Sequence, residues 1–378
     1  MLRTESPAFI DPRTGKTLPI DTLAWRSEDG NPLMVTDLGG INRTDIRADV
    51  RTIWRYSAAL PVEFDAPVSL GEGMTPLVRS DIDGISCRLK LEWFAPTGSF
   101  KDRGASVLIS YLRSLGITSV VEDSSGNGGA AIAAYGAAAG MAVDIFVPEH
   151  TQPAKIAQLR AYGARVTLVP GTRQDTEAAA TRAADQIFYA SHNWHPMFLQ
   201  GTKTLGYEIW EDLGFRTPDN IVIPAAAGSN VLGCYLAFRE LIAAGEITHM
   251  PRIFVTQPEN CCPLHYALHP ETLGGGRPEY RFTVAEGTAI RNPIRLDEIL
   301  AAICETGGDS TAVAEEEIIA TAKGLAAKGF YAEPTSAHAV AGLRQLVDAG
   351  KIGRDEETIV ILTGSGLKAT QFYTDQLG

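Results

Sequence analysis

The sequence predicts an α/β protein of two domains, each built on a parallel sheet covered by helices. Three observations lead there. The chain has 378 residues, which at roughly 100–200 residues per domain allows about two domains with substantial cores. Short apolar runs that suit buried strands alternate with longer segments of helical periodicity, and that alternation marks a parallel sheet covered on both faces. The pattern comes twice, with a break near residue 200, which suggests two such domains and a ligand cleft between them.

The elements follow in order. The first 60 or so residues differ from the rest: turn-rich stretches at 11–15, 28–32 and 39–42 separate short apolar runs, as in a small N-terminal arm or subdomain. From about Val68 the alternation begins. An apolar helix is expected over 105–112, then a strand at 119–122, a Gly-rich turn, a helix from about 128 to 139 and a strand at 143–147. Pro153 suits the first position of a helix running to Tyr162, and Gly163 suits its end. A strand at 165–169 and a helix at 175–187 complete the first run. The second run begins with a strand at 220–223, a Gly-rich turn and a helix from 231 to about 244. A strand at 252–256, helices at 315–328 and 336–349 and a closing strand at 358–362 follow. The acidic run Glu315, Glu316, Glu317 sits at a helix start, where the macrodipole favours negative charge.

Composition removes several function classes. Lys and Arg number 33 against 45 Asp and Glu, a net charge of −12, which argues against nucleic-acid and membrane-surface partners because both are polyanionic. Apolar residues at 45% and charged residues at 21% are ordinary for a globular enzyme and unlike a disordered chain. The longest uncharged stretch, 124–143, is mostly Ala and Gly and supplies too little transfer energy for a membrane span. Residues 1–16 lack the apolar core of a signal peptide. The five cysteines, Cys87, Cys234, Cys261, Cys262 and Cys304, are odd in number and form no CxxC pair, which reads as reduced thiols in a cytoplasmic protein. No metal is expected: His192 and His195 are close in sequence, with no Cys or carboxylate in register. There is no G-x-S-x-G elbow and no basic–aromatic interleaving of the single-strand binders.

Four Gly- and Ser-rich segments carry the chemistry. Each is read as following a strand, so they belong at the carboxyl edge of a parallel sheet, where ligands bind. In Pro96-Thr-Gly-Ser-Phe-Lys-Asp-Arg-Gly104 a lysine stands before an apolar helix, where the dipole disfavours a cation. Apolar Phe100 beside Lys101 suits a desolvated, nucleophilic amine. In Glu122-Asp-Ser-Ser-Gly-Asn-Gly-Gly129, successive N–H groups at a helix start suit an anion. The same stretch fits G-x-G-x-x-A literally, which keeps a nicotinamide oxidoreductase as a remote alternative. Its required acid is out of place, since Asp144 begins the next strand and Glu149 lies past its end. Ala225-Ala-Ala-Gly-Ser-Asn230 has small side chains before a helix, as in a phosphate cradle. In Leu362-Thr-Gly-Ser-Gly-Leu-Lys368 the hydroxyls of Thr363 and Ser365 suit a buried heteroatom.

In this order the segments resemble the fold-type II pyridoxal-phosphate enzymes (the tryptophan synthase beta-like fold), most closely the threonine synthase-like group. Gly71-Glu-Gly-Met-Thr-Pro-Leu77 and Glu333-Pro-Thr-Ser-Ala337 are further stretches of that kind, and the matches run from about residue 70 to 368. The resemblance implies a pyridoxal 5′-phosphate cofactor and assigns roles. Lys101 forms the internal aldimine, with Phe100 beside it, and Asn127 bonds the ring hydroxyl oxygen. Ala226, Ala227, Gly228, Ser229 and Asn230 hold the phosphate, and Thr363 faces the pyridine nitrogen. A neutral hydroxyl there leaves that nitrogen largely unprotonated and the ring a weaker electron sink. Ser124, Ser125 and Gly128 receive the substrate carboxylate. It also implies a large cofactor-binding domain of residues 66–104 and 205–378, a small mobile domain of 105–204, the arm at 1–65, and a homodimer.

The activity implied is a lyase performing β/γ-elimination or replacement on a small amino acid. One departure bears on the substrate. The group's Asn-Pro-x-Arg-Leu-x-Gly-x-Lys-Thr stretch, whose Asn and Arg hold a substrate phosphate, here reads His195-Pro-Met-Phe-Leu-Gln-Gly-Thr-Lys-Thr204. His195 and Phe198 stand at the substrate-binding positions, and Ala227 replaces a phosphate-directed Asn. Phenylalanine lacks the forked donors of arginine, which weakens O-phosphohomoserine as substrate. Threonine synthase proper and a serine/threonine dehydratase-type ammonia-lyase are both alternatives.

Overall fold

A computed structural model describes residues 6–378. The described chain forms two compact units, one of the residues up to Gly73 with Lys101–Thr204, the other of Met74–Phe100 with Leu205–Gly378.

The first unit carries a four-stranded, all-parallel sheet in the order Arg165–Val169, Ala142–Pro148, Ser119–Glu122, Phe188–Tyr189. Three of these strands stand where the apolar runs predict them. The short Phe188–Tyr189 strand follows directly on the helix expected over 175–187. That helix spans Arg173–Ala183 instead, because Thr172 and Asp175 form a capping box that fixes its start. The helix expected from 105 begins at Lys101 and ends at Ser114, so Lys101 lies in its first turn. Apolar periodicity misses this first turn because its side chains are polar, although Asp102 and Arg103 are buried.

The N-terminal segment is built into this unit. It forms a three-stranded antiparallel sheet of Thr17–Pro19, Ala8–Ile10 and Met34–Val35. Phe9, Leu33 and Trp54 join one core with Leu108, Ile132, Tyr135, Val120 and Ile145. Buried Glu72 ties the segment down, accepting from Trp54 Nε1 at 3.1 Å, Ser106 Oγ at 2.7 Å and Tyr135 Oη at 2.7 Å.

The second unit holds a six-stranded sheet in the order Ser310–Val313, Arg252–Pro258, Asn220–Pro224, Thr358–Leu362, Ile85–Leu91, Leu77–Ile82. All neighbours are parallel except the last pair, an antiparallel hairpin. Its Asp83-Gly84 turn has positive φ at both residues, 54° and 80°, the geometry that suits the right-handed twist of the flanking strands. Every residue of Asn220–Pro224 and of Thr358–Leu362 is buried, as central strands covered on both faces require. Helices Ser229–Ala243, Glu315–Ala327 and Pro334–Asp348 lie within a residue or two of the expected segments. The helices Pro196–Asp212 and Leu296–Glu305 lie outside the expected segments. Among the described residues no helix is long and apolar enough to cross a membrane, and all five cysteines are free thiols.

Candidate active site

In the first unit, Lys101 opens its helix with the Nζ 5.6 Å from the centre of the Phe198 ring. The ring is fully buried and pressed on Gly104, where a Cβ would fall 2.4 Å from a ring carbon. Gly201 allows an equally close approach, since its Cβ would lie 2.1 Å from the Arg103 carbonyl oxygen. The glycine that closes the lysine motif is thus there for packing.

Ser124, Ser125 and Asn127 are partly exposed between strand Ser119–Glu122 and helix Asn127–Ala138. No side chain caps that helix at Gly126, and an uncapped helix start suits an anion. Gly129 admits the backbone of Ser124, whose carbonyl oxygen would sit 1.8 Å from a Cβ. Gly128 admits the ring of His192, which would sit 2.6 Å from a Cβ at that position.

His192 rests on Glu122. Glu122 Oε1 lies 2.9 Å from His192 Nδ1, and Oε2 accepts the His192 backbone N–H at 3.1 Å. Burial pushes the Glu122 carboxyl up to about 7. Burial, with the Lys101 charge adding to it, holds His192 well below its ordinary value. The imidazole is therefore neutral. Asp123 is also raised by burial and is offset by Arg173, whose Nη1 stands 2.6 Å from Asp123 Oδ2.

The two histidines of the 192–195 stretch part company. His195 is buried among Phe9, Tyr111 and Phe188, with ring centres 5.9, 5.4 and 5.7 Å away, and its Nδ1 accepts from the Met197 N–H at 3.2 Å. His192 is the one beside the Ser-Ser-Gly-Asn loop. The acid closing strand Ser119–Glu122, immediately before that loop, is the sequence signal for its role.

In the second unit, the segment leading to Lys101 is zipped onto the segment after the last strand. The Phe100 N–H donates to the Thr363 carbonyl at 3.0 Å, Ser365 N–H donates to Gly98 at 3.1 Å, and Ser99 bridges to Gly364. Thr363 is buried, with Oγ1 3.1 Å from Ser336 Oγ and donating to Glu333 Oε1 at 3.3 Å. Gly364 leaves room for that carboxylate, which a Cβ would approach to 2.4 Å. The resemblance gives a role to Thr363; Glu333 and Ser336, from the 333–337 stretch that it also includes, stand behind that hydroxyl.

Ala226 and Ala227 are half-buried, and Gly228 takes a left-handed conformation, φ 76°, where a Cβ would meet Ile299 at 2.2 Å. Helix Ser229–Ala243 starts there with no side-chain cap. Asn230 is buried, and neither its Oδ1 nor its Nδ2 has a hydrogen-bond partner. Leaving a buried amide unsatisfied costs about 1–3 kcal/mol per polar group. Such a cost at a bare helix start fits a place that receives a polar ligand.

A lysine at a helix start, uncapped helix starts and glycine-bounded loops are the features that an anionic, amine-reactive cofactor requires. The chain belongs to the pyridoxal-phosphate dependent enzymes, whose family model matches residues 68–364. It is similar to the threonine synthase of Methanosarcina acetivorans, 38% identical over 89% of this chain and 84% of the relative. It is similar also to that of Methanocaldococcus jannaschii, 33% identical over 94% and 91%, and to that of Mycobacterium leprae, 33% over 83% and 87%. Among solved structures it resembles threonine deaminase isoform 2 of Solanum lycopersicum, with TM-score 0.66 and 25% identity over 80% of this chain and 83% of that one. O-ureido-L-serine synthase, TM-score 0.67 at 23% identity over 81% and 94%, shares the fold. The fold is thus that of the fold-type II enzymes, and the protein is a pyridoxal-phosphate-dependent lyase of the threonine synthase-like group acting on an amino acid. The residues present fit the cofactor: unsatisfied Asn230 and the Gly228 cradle suit its phosphate, and Lys101 suits its aldehyde.

Proposed function

We propose that this lyase carries out β- or γ-elimination or replacement on a small amino acid, with Lys101 as its reactive amine. The observation that carries the reading is the setting of Lys101 at a helix start, its Nζ beside the Phe198 ring. Ala226, Ala227, Gly228, Ser229 and Asn230 would hold the cofactor phosphate, Asn127 the ring hydroxyl, and Thr363 the ring nitrogen, with Phe100 next to the lysine. The cofactor, when bound, supplies an electron sink for the substrate's α-carbon. Ser124, Ser125 and the Gly128 N–H orient the substrate carboxylate at the start of helix Asn127–Ala138. Lys101 Nζ takes the α-proton and later returns it.

Between the alternatives, the position that would offer a forked cation to a substrate phosphate is Phe198, and it is fully buried. That favours a substrate recognised without such a clamp, such as L-serine or L-threonine. The threonine synthases at 33–38% identity favour O-phosphohomoserine. The reading also includes a cytoplasmic homodimer without nucleic-acid or membrane partners, and residues 66–104 with 205–378 as the cofactor domain beside a mobile 105–204.

Borohydride reduction of the yellow holoprotein, followed by peptide mapping, should place the cofactor on Lys101; a label elsewhere, or none, defeats the reading. Phosphate released from O-phosphohomoserine identifies threonine synthase. Ammonia with a 2-oxo acid from L-serine or L-threonine identifies the ammonia-lyase.

A further inference from the structure

Strand Ser119–Glu122 ends on a buried acid that holds one residue twice, His192 by its ring Nδ1 and by its backbone N–H. The same ring lies against Gly128, in the first turn of helix Asn127–Ala138. Its centre is 5.8 Å from that of Phe198, the ring beside Lys101 Nζ. The charged groups around the pair are Asp123, bonded to Arg173, and Lys101, with the Tyr189 phenol adjoining the two acids.

We propose that Glu122 and His192 form a proton relay serving the amino-acid site at Gly128. With Glu122 ionised, His192 carries its proton on Nδ1 and donates it to Oε1, leaving a lone pair on Nε2. A proton arriving at Nε2 is matched by transfer of the Nδ1 proton to Glu122. The end state is a protonated carboxyl donating to Nδ1, with the ring proton on Nε2. One proton has entered, the charge change falls on Glu122, and the imidazole is neutral at both ends. Such a route suits the environment, where burial and the Lys101 charge disfavour an imidazolium. Burial also brings Glu122 to about 7, near the value at which a group both takes and gives protons well at neutral pH. The relay suits departure of a hydroxyl or phosphate, which it would supply with a proton apart from the one that Lys101 carries.

This inference rests on the proposed carboxylate site at Ser124, Ser125 and Gly128. It is tested by 15N NMR of histidine-labelled holoprotein between pH 5.5 and 8.5. His192 should stay neutral throughout and change from the Nε2–H to the Nδ1–H tautomer as pH rises through about 7. Glu122→Gln should hold it as Nε2–H at all pH values. A single tautomer across the range in the wild type, or an imidazolium forming near 6.5, overturns the relay, and neither needs a variant that folds. With O-phosphohomoserine and L-threonine as probes, Glu122→Gln and His192→Gln should each lose a near-neutral inflection in kcat/KM, with kcat falling on the order of 100-fold and KM little changed. An unaltered profile overturns it too. Borohydride labelling separates the two proposals: a protein unlabelled at Lys101 loses both, whereas a labelled protein with the wrong tautomer behaviour loses only the relay.

Discussion

At the scale of single residues, Phe198 decides more than its position in an aligned motif suggests. Sequence comparison invites Phe198→Arg as the way to restore a phosphate clamp. The structure argues against it, because the guanidinium would be fully buried against Gly104 with Lys101 Nζ close by. An unpaired buried charge costs several kcal/mol, so this variant should lose folded protein before it gains a substrate. A cleaner test is Gly104→Ala. Its methyl would sit 2.4 Å from the Phe198 ring, and overpacking of this kind costs about 1–3 kcal/mol. Adding Phe198→Leu should recover part of that loss. Urea midpoints of the two variants check it; a tolerated Gly104→Ala would mean the ring is free to move. The lysine motif is plain in the sequence. Its glycine's reason is not, because the partner ring lies 94 positions away, at 198 − 104 in the chain.

At the scale of elements, strands and helices that alternate in a buried sheet are legible because burial writes itself into local pattern. Thr358–Leu362, buried at every residue, coincides with its apolar run for that reason; Arg165–Val169 coincides with its run although none of its residues is buried. Pro196–Asp212 mixes Lys203, Thr204 and Glu208 with apolar residues although these polar side chains are buried, so its polar positions do not mark a solvent face. The Leu77–Ile82 and Ile85–Leu91 hairpin does carry an Asp-Gly turn signal, hidden by the stronger alternation after it. Helix Pro334–Asp348 shows a further cost of buried polar residues. Its His338 is fully buried between Thr256 Oγ1 at 2.7 Å and Thr288 Oγ1 at 3.3 Å, and burial drives its pKa down to about 3. An unfolded histidine titrates near 6.5, so between those values the unfolded chain binds the extra proton. The stabilisation is complete above 6.5 and is lost as pH falls toward 3, about 5 kcal/mol by linkage. His338→Asn should flatten that part of the stability–pH curve relative to wild type. Parallel curves would show that the imidazole is protonated in the folded state.

At the scale of the whole molecule, each compact unit is assembled from two separated stretches of chain, which local pattern cannot reveal. Each has its own apolar core, one around Leu108, Ile132 and Tyr135, the other around Leu89, Val222, Leu343 and Val360. The second unit also fastens its halves with a buried charge cluster. Lys90 Nζ lies 2.7 Å from both Glu208 and Asp212, and Glu208 accepts the N–H groups of Met74 and Thr75 at 2.8 Å. Removing one member of a buried pair strands the other and costs about 3–5 kcal/mol, so Lys90→Met should destabilise this unit sharply. Adding Glu208→Gln should restore part of the loss. Two tryptophans report the outcome by unit, Trp54 in the first core and buried Trp210 in the second. In single-tryptophan proteins, Lys90→Met should lower the urea midpoint seen by Trp210 and leave that of Trp54 nearly in place. Equal shifts at both would mean that the two cores unfold as one cooperative body.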